Sequence, residues 1–272
     1  MVEIEGEEKM KKRLWTFLLL LTLTIAVLAS LQAFAQDDLP QENLSQETSS
    51  EKLSGWVKKK GKTYFYKDGK KASGWQKIDG SYYYFKGGIP EKNKIVGSKK
   101  DGWYYVDPDG VRIKDKQIAQ AVQFVMKRSN ASHSAKARLR ECYNALRRYP
   151  YVRIYGDKPA PDKIPLYANY MFSRRGGNCY RYGAASCYIA RVLGFDVRFC
   201  SGGTTASPYR SLSPHGWCEV WTGDRWGMID CSMGRVHRSH DLFLISRGRY
   251  PFRLSCYRVF PMKIKNHEIV WK

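Results

Sequence analysis

A short aromatic unit repeats near the start of the chain, and it limits the fold more than any other feature. Gly55-Trp56 recurs as Gly74-Trp75. The run Gly61-Lys-Thr-Tyr-Phe-Tyr66 recurs as Gly80-Ser-Tyr-Tyr-Tyr-Phe85, and in shorter form as Gly102-Trp-Tyr-Tyr-Val106. Asp68-Gly69, Asp79-Gly80, Asp101-Gly102 and Asp109-Gly110 supply the positive φ angles that two-residue hairpin turns need. Each unit therefore predicts an aromatic β-hairpin with a period of about 20 residues. Units of that length cannot bury an apolar face alone and must stack on one another. The third unit carries Gly97-Ser98 where Gly-Trp is expected.

What precedes the repeats predicts export. Lys9 to Arg13 is basic, Leu14 to Leu31 is almost wholly apolar, and Ala33-Phe34-Ala35 offers small residues at the positions an export peptidase reads. Residues 1–35 are expected to be a signal peptide, with Met10 as an alternative start. The competing reading is an uncleaved anchor, because the apolar run approaches the length that spans a bilayer. Residues 36–53 are rich in Gln, Glu, Ser, Asn and Asp and read as a disordered linker. The formal net charge of +22 implies an anionic neighbourhood. Export removes the case for nucleic acid and leaves an anionic envelope polymer such as teichoic acid, or simply a solvated basic surface.

Past Gly110 the periodicity changes. Ile118, Ala121, Val122, Val125 and Met126 fall on one helical face between Asp115 and Ser129. Leu139, Cys142, Tyr143 and Leu146 do the same between Ser134 and Tyr149, and Pro150 stops that helix. Pro159, Pro161 and Pro165 predict a loop. Then Gly176-Gly177-Asn178-Cys179 opens an Ala-rich segment read as an amphipathic helix, which Gly194 ends. Cys179 therefore stands at a helix N-terminus, where the partial positive charge favours a thiolate. Arg174, Arg175 and Arg181 are expected to add to that effect. Phe195 to Phe199 reads as a strand and Gly202 to Ser213 as a loop. Pro214 to Trp221 and Arg225 to Asp230 alternate as the two strands of a hairpin, which makes His215 and Asp230 neighbours. His215 can then serve as base toward Cys179, with Asp230 orienting the ring.

Seven cysteines are present, so at least one is unpaired within the chain. With Cys179 set aside, six could form bridges, or most could be small buried apolar residues. Cys187 is expected in the core, and Cys218 on the strand face opposite His215. Trp217 and Trp226 are expected to pack. His133, His237, His240 and His267 show no partner pattern, and no metal site is expected.

Two resemblances follow from these residues. The aromatic units resemble the cell-wall-binding repeats of Gram-positive bacteria, of the choline- and glucan-binding kind. There aromatic side chains form a cage that holds a quaternary ammonium by cation–π attraction or stacks on a sugar. On that resemblance Trp56, Tyr64, Trp75, Tyr83 and Trp103 would contact a wall polymer or glycan, or else only pack hairpins together. Gly-Asn-Cys before an Ala-rich helix, then His-Gly-Trp-x-Glu-Val, then Trp-x-x-x-Asp, resembles the transglutaminase-like superfamily. The likeness covers roughly Asp115 to the C-terminus, most strongly Gly177 to Asp230.

That second resemblance implies an α+β, papain-like fold, with the thiol on a central helix packed against an antiparallel sheet. It also implies acyl transfer without a cofactor, with Cys179 as nucleophile, His215 as general base and acid, and Asp230 as orienter. The expected organisation is signal peptide, linker, repeat module over residues 54–112, and catalytic domain over residues 113–272. The expected function is a secreted, wall-associated cysteine protease or amidase acting on a peptide or protein. The alternatives are a true transglutaminase joining Gln to Lys, and an inactive wall-binding protein. A membrane enters only through an uncleaved leader.

Overall fold

The computed structural model describes residues 53–205 and 210–272. The expected signal peptide and nearly all of the expected linker lie outside the described residues. Lys52–Lys272 forms one compact unit.

Three hairpins open it. They are β1 (Gly55–Lys59) with β2 (Lys62–Lys67), β4 (Gly74–Ile78) with β5 (Ser81–Lys86), and β7 (Lys94–Ser98) with β8 (Gly102–Val106). Short strands β3 (Lys70–Lys71) and β6 (Ile89–Pro90) extend the first two. Lys60-Gly61 and Asp79-Gly80 have positive φ at both turn positions, the geometry that matches the twist of the flanking strands. Trp56 pairs across the ladder with Phe65, and Trp75 with Tyr84. In the third hairpin Gly97-Ser98 ends β7, whereas Gly55-Trp56 and Gly74-Trp75 begin β1 and β4.

The helices follow. α1 (Lys116–Arg128) is capped by Asp115, whose carboxylate accepts the Ile118 N–H at 2.7 Å. α2 (Ala135–Leu146) is capped by Ser134 and stops three residues short of Tyr149. The predicted proline loop is corrected in part. Ile164–Arg174 is a helix, α3, with Pro165 in its first turn, where a missing N–H costs nothing. α4 (Cys179–Val192) is buried on every side, so the amphipathic expectation fails. It is the axis of the core, packed against α1, α3 and the sheet together. Such a helix reads as apolar and small all round.

The sheet is antiparallel with six strands in the order β12-β11-β10-β9-β13-β14. These are β9 (Val197–Thr205), β10 (Ser213–Trp221), β11 (Trp226–Ile229), β12 (Phe243–Ile245), β13 (Arg253–Lys265) and β14 (Glu268–Trp271). Between β11 and β12 lies a short helix, α5 (Cys231–Val236). β9 runs through Gly202-Gly203, so the loop expected from Gly202 is strand as far as Thr205. A Cβ on Gly202 would stand 1.8 Å from the Ser255 carbonyl oxygen, so the glycine is what lets β13 pair there. The result is an α+β fold with a helix-borne cysteine against an antiparallel sheet.

The third hairpin is tied to this core. Asn93 donates to the Gly194 carbonyl at 2.9 Å and accepts from Arg191 at 3.1 Å and Tyr105 at 2.6 Å. His267, in the turn between β13 and β14, bonds Asp107 at 2.7 Å. The Asp107 carboxylate also accepts the Asp109 and Val111 N–H groups.

Candidate active site

Cys179 is the first residue of α4, where backbone N–H groups lack intrahelical acceptors. Its thiol faces β10 and donates to the Pro214 carbonyl at 3.8 Å. Asn178, at the cap position, is buried and makes no side-chain cap bond to the helix. Its amide donates to the Asp157 carboxylate at 2.7 Å and the Ile154 carbonyl at 3.1 Å, and its oxygen accepts from Arg181 at 2.9 Å. Asn178 thus fixes the strap over residues 154–157 beside the thiol. Arg181 pairs with Asp157 at 2.5 Å and lies over the rings of Tyr167 and Tyr170. Arg174 and Arg175 end α3 in solvent. The expected help of these three arginines is therefore corrected: Arg181 is already neutralised, and the helix terminus is the positive feature at Sγ.

His215 lies on β10 and Asp230 immediately follows β11. The ladder sets Cys218 opposite Ile229, so the two ends converge. His215 Nε2 and Asp230 Oδ2 are 2.7 Å apart, both buried. That leaves Nδ1 on the side of Cys179, which shares the cleft with the ring and interacts with its charge. Burial opposes a charge on His215, but Asp230 and Cys179 outweigh it and lift its pKa to about 10. Burial likewise works against the Asp230 carboxylate. His215, Tyr250 and the Met233 N–H overcome it and hold the group below the usual carboxylate range.

Asp230 uses both oxygens. Oδ2 also accepts from the Tyr250 hydroxyl at 2.7 Å. Oδ1 accepts from the Met233 N–H and the Ser232 hydroxyl, each at 3.0 Å, because Asp230 caps α5. Burial and the neighbouring carboxylate push the Tyr250 phenol far up, so it stays a donor.

The motif His-Gly-Trp-x-Glu has a plain physical reading. Residues 215, 217 and 219 alternate onto one face of β10. Trp217 stacks on His215 with ring centres 6.0 Å apart. Its indole donates to Glu219 at 2.9 Å. Glu219 is 1% exposed and receives Arg198 and Arg247. Burial would raise its carboxyl, but Arg247, Trp217 and Arg198 hold it low. Glu219 thus braces the ring that braces the histidine.

A cleft of about 590 Å³ opens over Cys179 and His215. Thr204, Ser213, Met233 and His237 line it, with Arg210 at its rim. Tyr151 closes one side. A backbone bridge between Tyr151 and Gly177 fixes it, and burial and the neighbouring Cys179 push its phenol up.

Tyr151 and Tyr250 were missed by sequence reasoning. No local pattern marks them, since each lies 20 or more positions from the side chain it serves.

The remaining candidates take ordinary places. All seven cysteines are free thiols, and Cys218 faces α4, where it meets Cys187. His237 and His240 both pack on Phe252. Of the five aromatic residues expected to hold a wall ligand, Trp56 and Tyr83 meet at 5.6 Å. Trp75 stands apart from them against Tyr84 and Tyr104. Tyr64 lies under Lys71, and Trp103 is exposed. The five therefore do not form one cage.

Residues 119–231 match the transglutaminase-like superfamily, and residues 73–88 and 98–112 match the family described as "putative cell wall binding repeat". No curated protein matches the chain. Among solved structures, the choline binding domain of Spr1274 from Streptococcus pneumoniae is 35% identical over 22% of this chain and 74% of its own, with a TM-score of 0.20. A "putative cysteine protease" from Cytophaga hutchinsonii is 14% identical over 40% of this chain and 36% of its own, with a TM-score of 0.33.

Proposed function

Given that the chain carries a transglutaminase-like domain behind choline-binding-type cell wall repeats, we propose that it is an exported, wall-associated cysteine protease or amidase working through an acyl-enzyme. In this reading residues 54–112 hold residues 113–272 at the wall and raise the local concentration of peptide substrate. Choline or glycan units of a wall polymer are the ligands proposed for the repeats.

One observation carries the reading. A buried imidazole is held between a carboxylate at 2.7 Å and a thiol that starts a helix. His215 is protonated at rest, and Cys179 attacks an amide carbonyl as the thiolate partner of that imidazolium. Asp230 keeps the ring oriented through Nε2 and steadies its positive charge without taking the proton. The developing oxyanion takes a point in front of the Cys179 N–H at the start of the helix, on the side of the cleft that Tyr151 lines. His215 passes its proton to the leaving amine, and the acyl group stays on sulfur. Water then gives a proton to Nδ1 and attacks the thioester, which frees the acid and restores the thiolate–imidazolium pair. An amine in place of water would make the same site a transglutaminase.

The test is alkylation by iodoacetamide near neutral pH, with the modified peptide mapped by mass spectrometry. The expected result is fast, selective labelling of Cys179 that slows at least tenfold in His215→Ala. Equal, slow labelling in both proteins would sink the enzyme reading. Incubating the labelled-competent protein with a peptide amide and a primary amine then separates hydrolysis from transamidation by product mass.

A further inference from the structure

The two repeats that match the wall-binding family face each other, and the last residue of the second, Arg112, reaches in between their rings. Trp75 of β4 meets Tyr104 of β8 edge-on at 5.5 Å. Beyond β8 the backbone turns at Asp109-Gly110 and runs back between the hairpins. Val111 bridges Tyr83, the Arg112 N–H donates to the Tyr82 carbonyl at 2.9 Å, and the Ile113 N–H to Tyr105 at 3.2 Å. These main-chain bonds aim Arg112 inward. Its guanidinium carbon lies 3.4 Å from the Tyr104 ring centre, 5.8 Å from that of Trp75 and 5.9 Å from that of Tyr82. Three π faces meet at this guanidinium, and Tyr82 also faces the Lys77 and Lys114 ammonium groups at 5.9 and 5.7 Å.

This resident is imperfectly held. Arg112 Nε is buried and makes no hydrogen bond, as is true of the Trp75 indole N–H. Arg112 has no ion pair among the described residues. A guanidinium brings N–H groups that the rings cannot satisfy, and a buried unmet donor is costly. A quaternary ammonium has no N–H to leave unmet and gains the same attraction. The cage is thus better matched to a cation without donors than to the one it holds.

We propose that Arg112 is an internal ligand of the Trp75/Tyr82/Tyr104 cage, so that a quaternary ammonium group enters it only by displacing this arginine. The proposal rests on reading the repeats as wall-binding. It adds that this cage is a gated site, filled until a ligand outcompetes the chain itself.

The test is a titration of the full chain with choline chloride, followed by tryptophan fluorescence at ionic strength held constant with sodium chloride. Arg112→Ala and Arg112→Gln both remove the cation. The second keeps a long polar side chain, and both keep the main-chain bond to Tyr82. The expected half-saturation in each is at least tenfold lower in choline than in the wild type, and Tyr104→Leu in the Arg112→Gln background abolishes the response. Coincident titrations of wild type and both variants would overturn the proposal. So would the absence of a saturable response in a variant that retains a native melting transition. Binding of the protein to choline-bearing wall fragments is measured separately. Loss there with the titration intact would remove the anchoring reading and leave the gated cage standing.

Discussion

The cleft over Cys179 and the Trp75/Tyr82/Tyr104 cage each set a side-chain cation against aromatic rings, but only the cleft gives its cation a buried counter-charge. His215 stacks on Trp217 and bonds a buried carboxylate whose every acceptor position is used. Arg112 stacks on Tyr104 with no carboxylate and an orphaned Nε. A buried charge with complete pairing is fixed in place. One that relies on π faces alone can be exchanged for another cation. The cleft is built for one arrangement of atoms, and the cage for competition.

The largest expected effect breaks the bracing behind the histidine. Glu219→Gln leaves Arg198 and Arg247 without their counter-charge and weakens the seat of Trp217. Removing one partner of a buried ion pair costs roughly 3–5 kcal/mol, and the partial exposure of Arg247 places the loss toward the lower end. A melting temperature within a degree or two of wild type would show that the brace carries little.

A pH series sharpens the same contrast. The folded-state pKa of His215 is about 10, above its ordinary 6.5. A raised value means that the folded protein binds the proton more tightly, so the linked stability is complete below about pH 6.5 and is lost as pH rises toward 10. The amount is a few kcal/mol at most. The melting temperature of wild type minus that of His215→Gln should therefore shrink steadily from pH 6.5 to 10. A constant difference would mean that Asp230 does not hold the imidazole protonated.

The two regions also differ in how far they could be read from sequence. Cys179, His215 and Asp230 were legible because each sits at an element boundary that local pattern marks: a Gly-Gly-Asn cap, the start of an alternating strand, the end of its partner. Tyr250 was not, because it reaches Asp230 from beyond β12. Gly202-Gly203 was read as a loop because glycine is a poor strand former in isolation, and only the close approach of β13 turns it into a requirement. α3 was lost to its prolines, which suit a first turn as well as a loop. Arg112 gave no signal at all. In a chain with 47 Lys and Arg, one more basic residue is unremarked until two hairpins fold around it. Chemistry written along one strand survives in the sequence, while chemistry made by stacking units does not.

The smallest expected effect tests whether the two regions act as one body. Asn93 has a positive φ of 50°, and its side chain joins the third hairpin to the end of α4 through Gly194, Arg191 and Tyr105. Asn93→Gly keeps the backbone angle available and deletes all three bonds. Buried partners left unmet cost about 1–3 kcal/mol in all, partly recovered where water reaches Arg191. At roughly 2–4 °C per kcal/mol for a unit of this size, the single melting transition should fall by several degrees. An unchanged transition would mean that the repeats hang on the domain without supporting it. A transition that splits in two would make Asn93 the joint itself, because the hairpins and the domain would then unfold separately once it is gone.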